Sequence, residues 1–227
     1  MSSEFPRSPK LLKGGLVVFE STKPGPPPKV IPFQYNPDQL TRQLAHRAAP
    51  ADPSSVGAAR EDSFRVLGPP VETLNLSVVL DATDQLEHPE QNPEVVANGL
   101  HPMLATLELL LYPPSTQVTM NRALAAGGSV QICPADLPFT LLVWGKSRVV
   151  PVRLTSFSVT EEAFATVLNP IQAKVDLGMR VLTYMELKED TVGFSVYMAY
   201  QAQKESLAGL ARPGVAAAGA IRGLIPL

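Results

Sequence analysis

Residues 29–35 (Lys-Val-Ile-Pro-Phe-Gln-Tyr) place Val30, Pro32 and Gln34 on one side and Ile31, Phe33 and Tyr35 on the other, the period-two pattern of a strand. That strand cannot run on through Asn36-Pro37. The proline ring fixes its own φ and pushes the residue before it away from the helical region, so the chain must turn there. Leu40, Arg42 and Leu44 then resume the alternation and begin a second strand. Strand, turn and strand in sixteen residues commits the N-terminal part of the chain to β-structure.

Upstream, Gly15-Leu16-Val17-Val18-Phe19-Glu20 is a short apolar run with β-branched residues and reads as a first strand, followed by a loop at Pro24-Gly25-Pro26-Pro27-Pro28. Downstream, residues 46–70 are small, polar and proline-rich, the composition of a mobile insertion between strands. Residues 72–81 put Leu74, Leu76 and Val78 on one face and Thr73, Asn75, Ser77 and Val79 on the other, a half-buried strand. From Val95 to Tyr112, Val96, Leu100, Leu104, Leu107 and Leu111 recur at helical spacing, with Asn92 as N-cap and Pro93 at the first position. Pro102 inside that pattern predicts a kink, or a start near His101, and Pro113-Pro114 ends the helix.

β-Structure then returns. Residues 138–145 form an aromatic and aliphatic strand that turns at Gly145-Lys146-Ser147, and Arg148 to Val159 alternates through Val150, Val152, Leu154, Ser156 and Ser158, a hairpin centred near Lys146. Its partner follows the Asn169-Pro170 turn, where Ala173, Val175, Leu177 and Met179 alternate with Lys174, Asp176, Gly178 and Arg180 as far as Glu186. Residues 191–206 read as a short helix or an extended arm, and Gly209 to Leu227 as an Ala/Gly/Pro tail too interrupted to span a membrane. Long strands, one main helix and no βαβ repetition predict a mainly β fold, an antiparallel barrel or sandwich with a flanking helix. The expected division is an N-terminal arm 1–14, a β domain 15–187 and a C-terminal arm 188–227.

At 227 residues the chain is one ordinary domain, or one with appendages, and can bury roughly 70% of the surface its unfolded form exposes. Its net charge of −2 comes with 19 scattered Lys and Arg residues, so neither nucleic acid nor an anionic membrane is an expected partner. Cys133 is the only cysteine and the three histidines are spread out, which excludes an internal disulfide framework and gives no metal-ligand spacing. The first ten residues lack the apolar run of a secretory signal, and assembly in the cytoplasm is expected.

The residues that could carry catalysis read more simply as structure. Cys133 lies in an apolar strand-like context that suits a buried thiol, and His88 and His101 flank the helix start as surface or capping residues. Glu161-Glu162 reads as a solvated turn, and Gly127-Gly128 lacks the Lys-Ser/Thr of a phosphate loop. Phe139 and Trp144 belong to a core, while Phe157 and Phe164 suit an inter-subunit contact or internal packing equally. No catalytic, cofactor or metal residue is assigned, and the expectation is a protein that is not an enzyme.

Four pieces in this order resemble the tube and tube-adaptor proteins of contractile injection systems, the phage-tail-like particles related to the type VI secretion apparatus. They are Phe33-Gln34-Tyr35-Asn36-Pro37 with Leu40, the strand end Leu141 to Gly145, the segment Val152 to Phe164, and Asn169-Pro170-Ile171-Gln172-Ala173-Lys174-Val175. The last is similar to that family's Gly-x-Pro-x-Arg-Ala-x-Val element, but has Gln172 before Ala173 and Lys174 after it. Many adaptor members carry a C-terminal LysM module, which the Ala/Gly tail is expected to replace here. The resemblance implies subunits joined sheet to sheet in a ring homo-oligomer, a hexamer, whose strand edges complete one another around a lumen.

It further implies that strands 72–81 and 148–186 line the lumen, with Asn75, Ser77, Thr155, Lys174 and Asp176 facing the channel or solvent and the other face packed on the helix. Phe33, Tyr35, Asn36, Pro37, Phe157, Phe164, Asn169, Pro170 and Lys174 are the assembly candidates it singles out. The implied partners are a spike hub protein and an inner tube protein, with baseplate or sheath proteins as further neighbours. The expected role is the adaptor ring that joins the tube to the spike hub. The alternatives are a main inner-tube subunit and, in another class, a monomeric ligand-binding β-barrel; a small-molecule hydrolase with a concealed triad is a remote third.

Overall fold

A computed structural model describes residues 12–19, 27–47, 66–127 and 137–211. Seven strands form one antiparallel sheet: β1 Gly15–Phe19, β2 Lys29–Pro32, β3 Leu40–Ala45, β4 Val71–Asp81, β5 Phe139–Val143, β6 Val149–Phe164 and β7 Pro170–Val181. Their order across the sheet is β2-β1-β5-β6-β7-β4-β3, so the fold is mainly antiparallel β and the sheet is open, with β2 and β3 at its edges. The two strands on either side of Asn36-Pro37 therefore do not pair with each other. Chain connectivity carries Phe33 to Gln39 from one edge of the sheet to the other.

That short link forces the sheet to roll. The side-chain amide of Asn36 donates to the Leu12 carbonyl and its oxygen accepts from the Gly14 amide, both at 2.9 Å, which pins it beside the start of β1. Four residues later Leu40 opens β3. Those four steps reach at most about 14 Å, whereas β1 and β3 would lie about 24 Å apart across five inter-strand spacings of a flat sheet. Gln34 closes the gap from within the link: its amide nitrogen donates to the Asp81 carbonyl at 2.6 Å and its oxygen accepts from the Asp81 amide at 2.9 Å.

One apolar core fills the inside of the roll. Leu74, Leu76, Val78 and Leu80 of β4 face Met179, Leu177, Val175 and Ala173 of β7 in register, and all are buried. β6 contributes Val150, Val152 and Leu154, after which a register shift between Leu154 and Ser156 reverses its faces. Phe157 and Val159 thus turn to the core and Ser156 and Ser158 to the outside, against the uninterrupted alternation expected along this strand. β7 ends at Val181 and not at Glu186, because Thr183 to Leu187 turns back on itself through amides bonded to the Thr183 carbonyl.

The helical pattern of 95–112 is broken in two. α1 is Thr83–Leu86, α2 is Pro93–Asn98 and α3 is His101–Glu108. Gly99 separates α2 from α3 with φ +57°, and Pro102 falls in the first turn of α3, where its missing N–H costs no bond. Asn92 does not cap α2 with its side chain, which instead donates to the carbonyls of Gln85 and His88. Leu100, Leu104, Leu107 and Leu110 pack on the sheet. α4, Ser115–Ala126, is a helix beyond Pro113-Pro114 and buries none of its residues.

The longest helix is α5, Val192–Leu210, so the main helix lies C-terminal to the strands and 191–206 is helix and not an extended arm. The Thr191 hydroxyl caps it by accepting from the Phe194 amide at 3.3 Å, and Tyr197 and Tyr200 enter the core cluster.

Gly99 gives the first prediction. A Cβ there would stand 2.5 Å from the Pro170 carbonyl oxygen on top of a positive φ. Gly99→Ala should destabilise the fold by about 1–3 kcal/mol, read as a lower urea midpoint with an unchanged slope; an unaltered midpoint contradicts the tight joint between α2–α3 and β7.

Candidate functional site

The assembly candidates fall into three places. Phe33 is buried, its ring 6.4 Å from that of Trp144, while Asn36 is occupied by the bonds that pin the link and Pro37 is half-buried. Tyr35 lies beyond the end of β2 and is exposed, so it does not share the buried face of Phe33 as the alternation predicts.

At the start of β7, Asn169 donates to the Ala97 carbonyl at 2.7 Å and buried Pro170 accepts from the Leu100 amide at 2.9 Å. This turn is thereby fastened to α2 and α3 of its own chain. Phe157 is half-buried against the core and Phe164 is exposed at the tip of the β6–β7 hairpin.

Lys174 belongs to the third place, the outer face of β4, β7 and β6. There Lys174 stands opposite Val79 and Thr160, Asp176 opposite Ser77 and Ser158, and Gly178 opposite Asn75 and Ser156. The row is polar and mostly exposed, and it collects on one surface the side chains of Asn75, Ser77, Lys174 and Asp176. The missing side chain of Gly178 lets Ser156 and Asn75 close over it, and a Cβ there would push the Ser156 hydroxyl aside.

The edges of this surface are unequal. β5 pairs with β6 only from Val149 to Val152, so among the described residues the β5 side of β6 has no strand partner from Arg153 to Phe164. Across the same band of strands, β3 is an exposed edge paired only to β4, from Leu40 to Ala45. Long unpaired edges present rows of free N–H and C=O groups that template pairing with another chain.

Glu72 anchors that second edge and is absent from the sequence-based candidates. It lies on the apolar side of β4 yet is only 3% exposed. Its carboxylate accepts from the Tyr200 hydroxyl at 3.0 Å and from Lys204 Nζ at 3.0 Å, and Arg42 Nε of β3 stands 3.5 Å away. Lys204 also lies over the Tyr200 ring, 3.9 Å from its centroid. One carboxylate thus holds β3, β4 and α5 together. Beside it, burial pushes the Tyr197 phenol above its ordinary pKa, with Tyr184 and Glu72 adding to the effect. A second cluster forms where Arg180 meets Glu186 at 2.7 Å and Arg47 at 3.6 Å from the same carboxylate.

The residues considered for chemistry do not converge. His88 is exposed in the turn after α1 and His101 is exposed at the start of α3, Glu161 and Glu162 are exposed near the end of β6, and Cys133 lies outside the described residues. Among the described residues no group of three metal-ligating side chains comes together, and no helix is long and apolar enough to cross a membrane. No protein-family profile matches the chain, and no curated protein matches it.

Two outcomes are expected. Glu72→Ala removes the acceptor shared by Tyr200, Lys204 and Arg42 and should cost about 1–3 kcal/mol of stability, with Arg42→Ala costing less; equal small losses in a denaturant series would contradict the central role of Glu72. Asp81 has its pKa lowered chiefly by the Thr83 hydroxyl at 2.5 Å, then by the Thr83 amide and Gln172. A depressed folded-state pKa contributes stability that is present above the ordinary carboxylate value and lost as pH falls through the folded value. Asp81→Asn should therefore lower stability at neutral pH and flatten its fall below about pH 4, read as urea midpoints across pH; an acid limb as steep as that of the wild type contradicts this role of Asp81.

Proposed function

We propose that this chain is a structural ring subunit of a contractile injection system, an adaptor that joins the inner tube to the spike hub at the baseplate. One observation carries the reading: the band β6-β7-β4-β3 has a polar, largely exposed outer face and, among the described residues, an unpaired edge on each side, β6 from Arg153 to Phe164 and β3 from Leu40 to Ala45. Pairing the β6 edge of one copy with the β3–β4 edge of the next satisfies both, and repetition about an axis closes a large barrel. Six such bands would give roughly twenty-four strands, wide enough to leave an aqueous channel. The rows of Asn75, Ser77, Ser158, Lys174 and Asp176 would wet that channel, and the core with α3 and α5 would lie on its outer side.

A ring of this kind needs no cofactor. Its partners are its own copies, the spike hub protein and the inner tube protein, with assembly in the cytoplasm. The adaptor position is favoured over that of a repeated tube subunit by α4, none of whose twelve residues is fully buried. A short helix that is mostly exposed is marginal in water, and a dedicated neighbour would cover its open face.

The reading predicts that the purified chain forms a closed ring by native mass spectrometry, and that particles captured through a tag on it contain one ring per tube. Copy number equal to the principal tube protein reassigns it as a tube subunit. A chain that stays monomeric at every concentration and captures no particle contradicts the proposal.

A further inference from the structure

The tip of the β6–β7 hairpin combines strain with exposed apolar surface. Leu168 is the one non-glycine among the described residues with a positive φ, +65°. The turn holds it there through two bonds, the Ala165 amide to the Asn169 carbonyl at 2.8 Å and the Leu168 amide to the Ala165 carbonyl at 2.9 Å. A branched side chain is strained in this region, and among the described residues none covers it: Leu168 is 77% exposed, Val167 69% and Phe164 49%. Three large apolar side chains on one rigid turn make a knob, and the adjoining Glu161 and Glu162 give its flank a negative charge.

The same chain carries a matching socket. Between the end of β2, the second half of β4 and α3 lies a half-open apolar cavity of about 220 Å³, lined by Ile31, Phe33, Val78, Leu80, Met103 and Leu107. An apolar cavity of about 150 Å³ is enough to hold a benzene ring, so this one has room for the ends of two aliphatic side chains. Lys29 stands at its rim, its Nζ 3.4 Å from the Thr106 hydroxyl. Knob and socket also lie at the same end of the sheet, since Asp81 at the end of β4 is opposite Gln172 at the start of β7. Rotation about an axis running along the strands keeps that end in common, so the tip of one copy is carried to the level of its neighbour's socket.

We propose that Val167 and Leu168 of one copy insert into the Ile31–Val78–Met103 socket of the next, with Glu161 or Glu162 facing Lys29, and that this head-to-tail contact closes the ring. The contact rests on the ring reading above and specifies its chemistry. It places the strained residue where burial compensates the strain, and it accounts for a socket that the described side chains leave open.

Leu168→Asn tests it without endangering the fold, because asparagine accepts a left-handed φ more readily than leucine. The monomer should be as stable as the wild type or more so, while the concentration at which half the chain is in rings rises at least tenfold. Met103→Trp, which fills the socket, should do the same, and Lys29→Glu should weaken assembly in a way that Glu162→Lys partly reverses. In mixtures of Cys133→Ala chains, copies carrying Leu168→Cys should form a disulfide with copies carrying Met103→Cys. Wild-type rings that persist undiminished in Leu168→Asn and Met103→Trp overturn this contact alone; a wild type that never forms rings overturns both it and the ring reading. Cross-linking of Leu168→Cys to a different particle protein, or tight binding of a small apolar probe such as an anilinonaphthalene dye by rings with no effect on assembly, also overturns it.

Discussion

Gln34 offers both ends of its amide to the main chain of Asp81, and two residues later Asn36 does the same for Leu12 and Gly14. Each behaves like a residue of a missing strand, bonding a neighbour's backbone with a side chain. Because the link between β2 and β3 is so short, these four bonds decide how far the sheet must curl, and the curl decides where the core is. Phe33 is carried inward by the same geometry, with its own amide bonded to the Gly14 carbonyl at 2.9 Å. Loss of this clamp would free the two sheet edges from each other and open the socket beneath α3.

A rolled sheet with a filled interior leaves its other face to solvent, and the sequence of that face is unusual in kind. Along β7 the outward positions are Lys174, Asp176, Gly178 and Arg180, flanked by serine, threonine and asparagine from β4 and β6. Among the described residues the unsatisfied features lie instead at the edges, β6 beyond Val152 and β3, and at the apolar tip from Phe164 to Leu168. Glu72 stiffens one of them by tying β3 to α5 through Arg42 and Lys204.

Strand positions were legible because one-sided burial writes itself as alternation: Leu74, Leu76 and Val78 could only share a core face. The β5–β6 hairpin near Lys146 was equally plain, with the Trp144 amide bonded to the Arg148 carbonyl. Misreadings arose where a single residue changes the pattern. A bulge after Leu154 leaves no mark in the sequence because serine tolerates either face, and Gly99 interrupts a helical period that its apolar neighbours continue to display. Pairing across the sheet was not readable, since nothing local says that β2 and β3 take opposite edges. Glu72 did leave a signal: extending the Leu74–Val78 alternation back by one step puts a carboxylate on the apolar face, where it must find partners. Val167-Leu168, an apolar pair in a turn, left another.

Ring assembly as proposed requires that a neighbouring copy complete the β6 edge left unpaired among the described residues. Hydrogen exchange of the backbone amides from Thr155 to Thr160, followed in dilute monomer and in assembled rings, tests this directly. Roughly half of these amides already bond to β7 in the monomer, and the remainder face outward. The prediction is that the outward amides exchange rapidly in the monomer and become strongly protected on assembly, while exposed residues of α4 such as Met120 are unchanged until another particle protein is added. Outward amides of β6 that exchange equally fast in monomer and ring would show that subunits meet elsewhere.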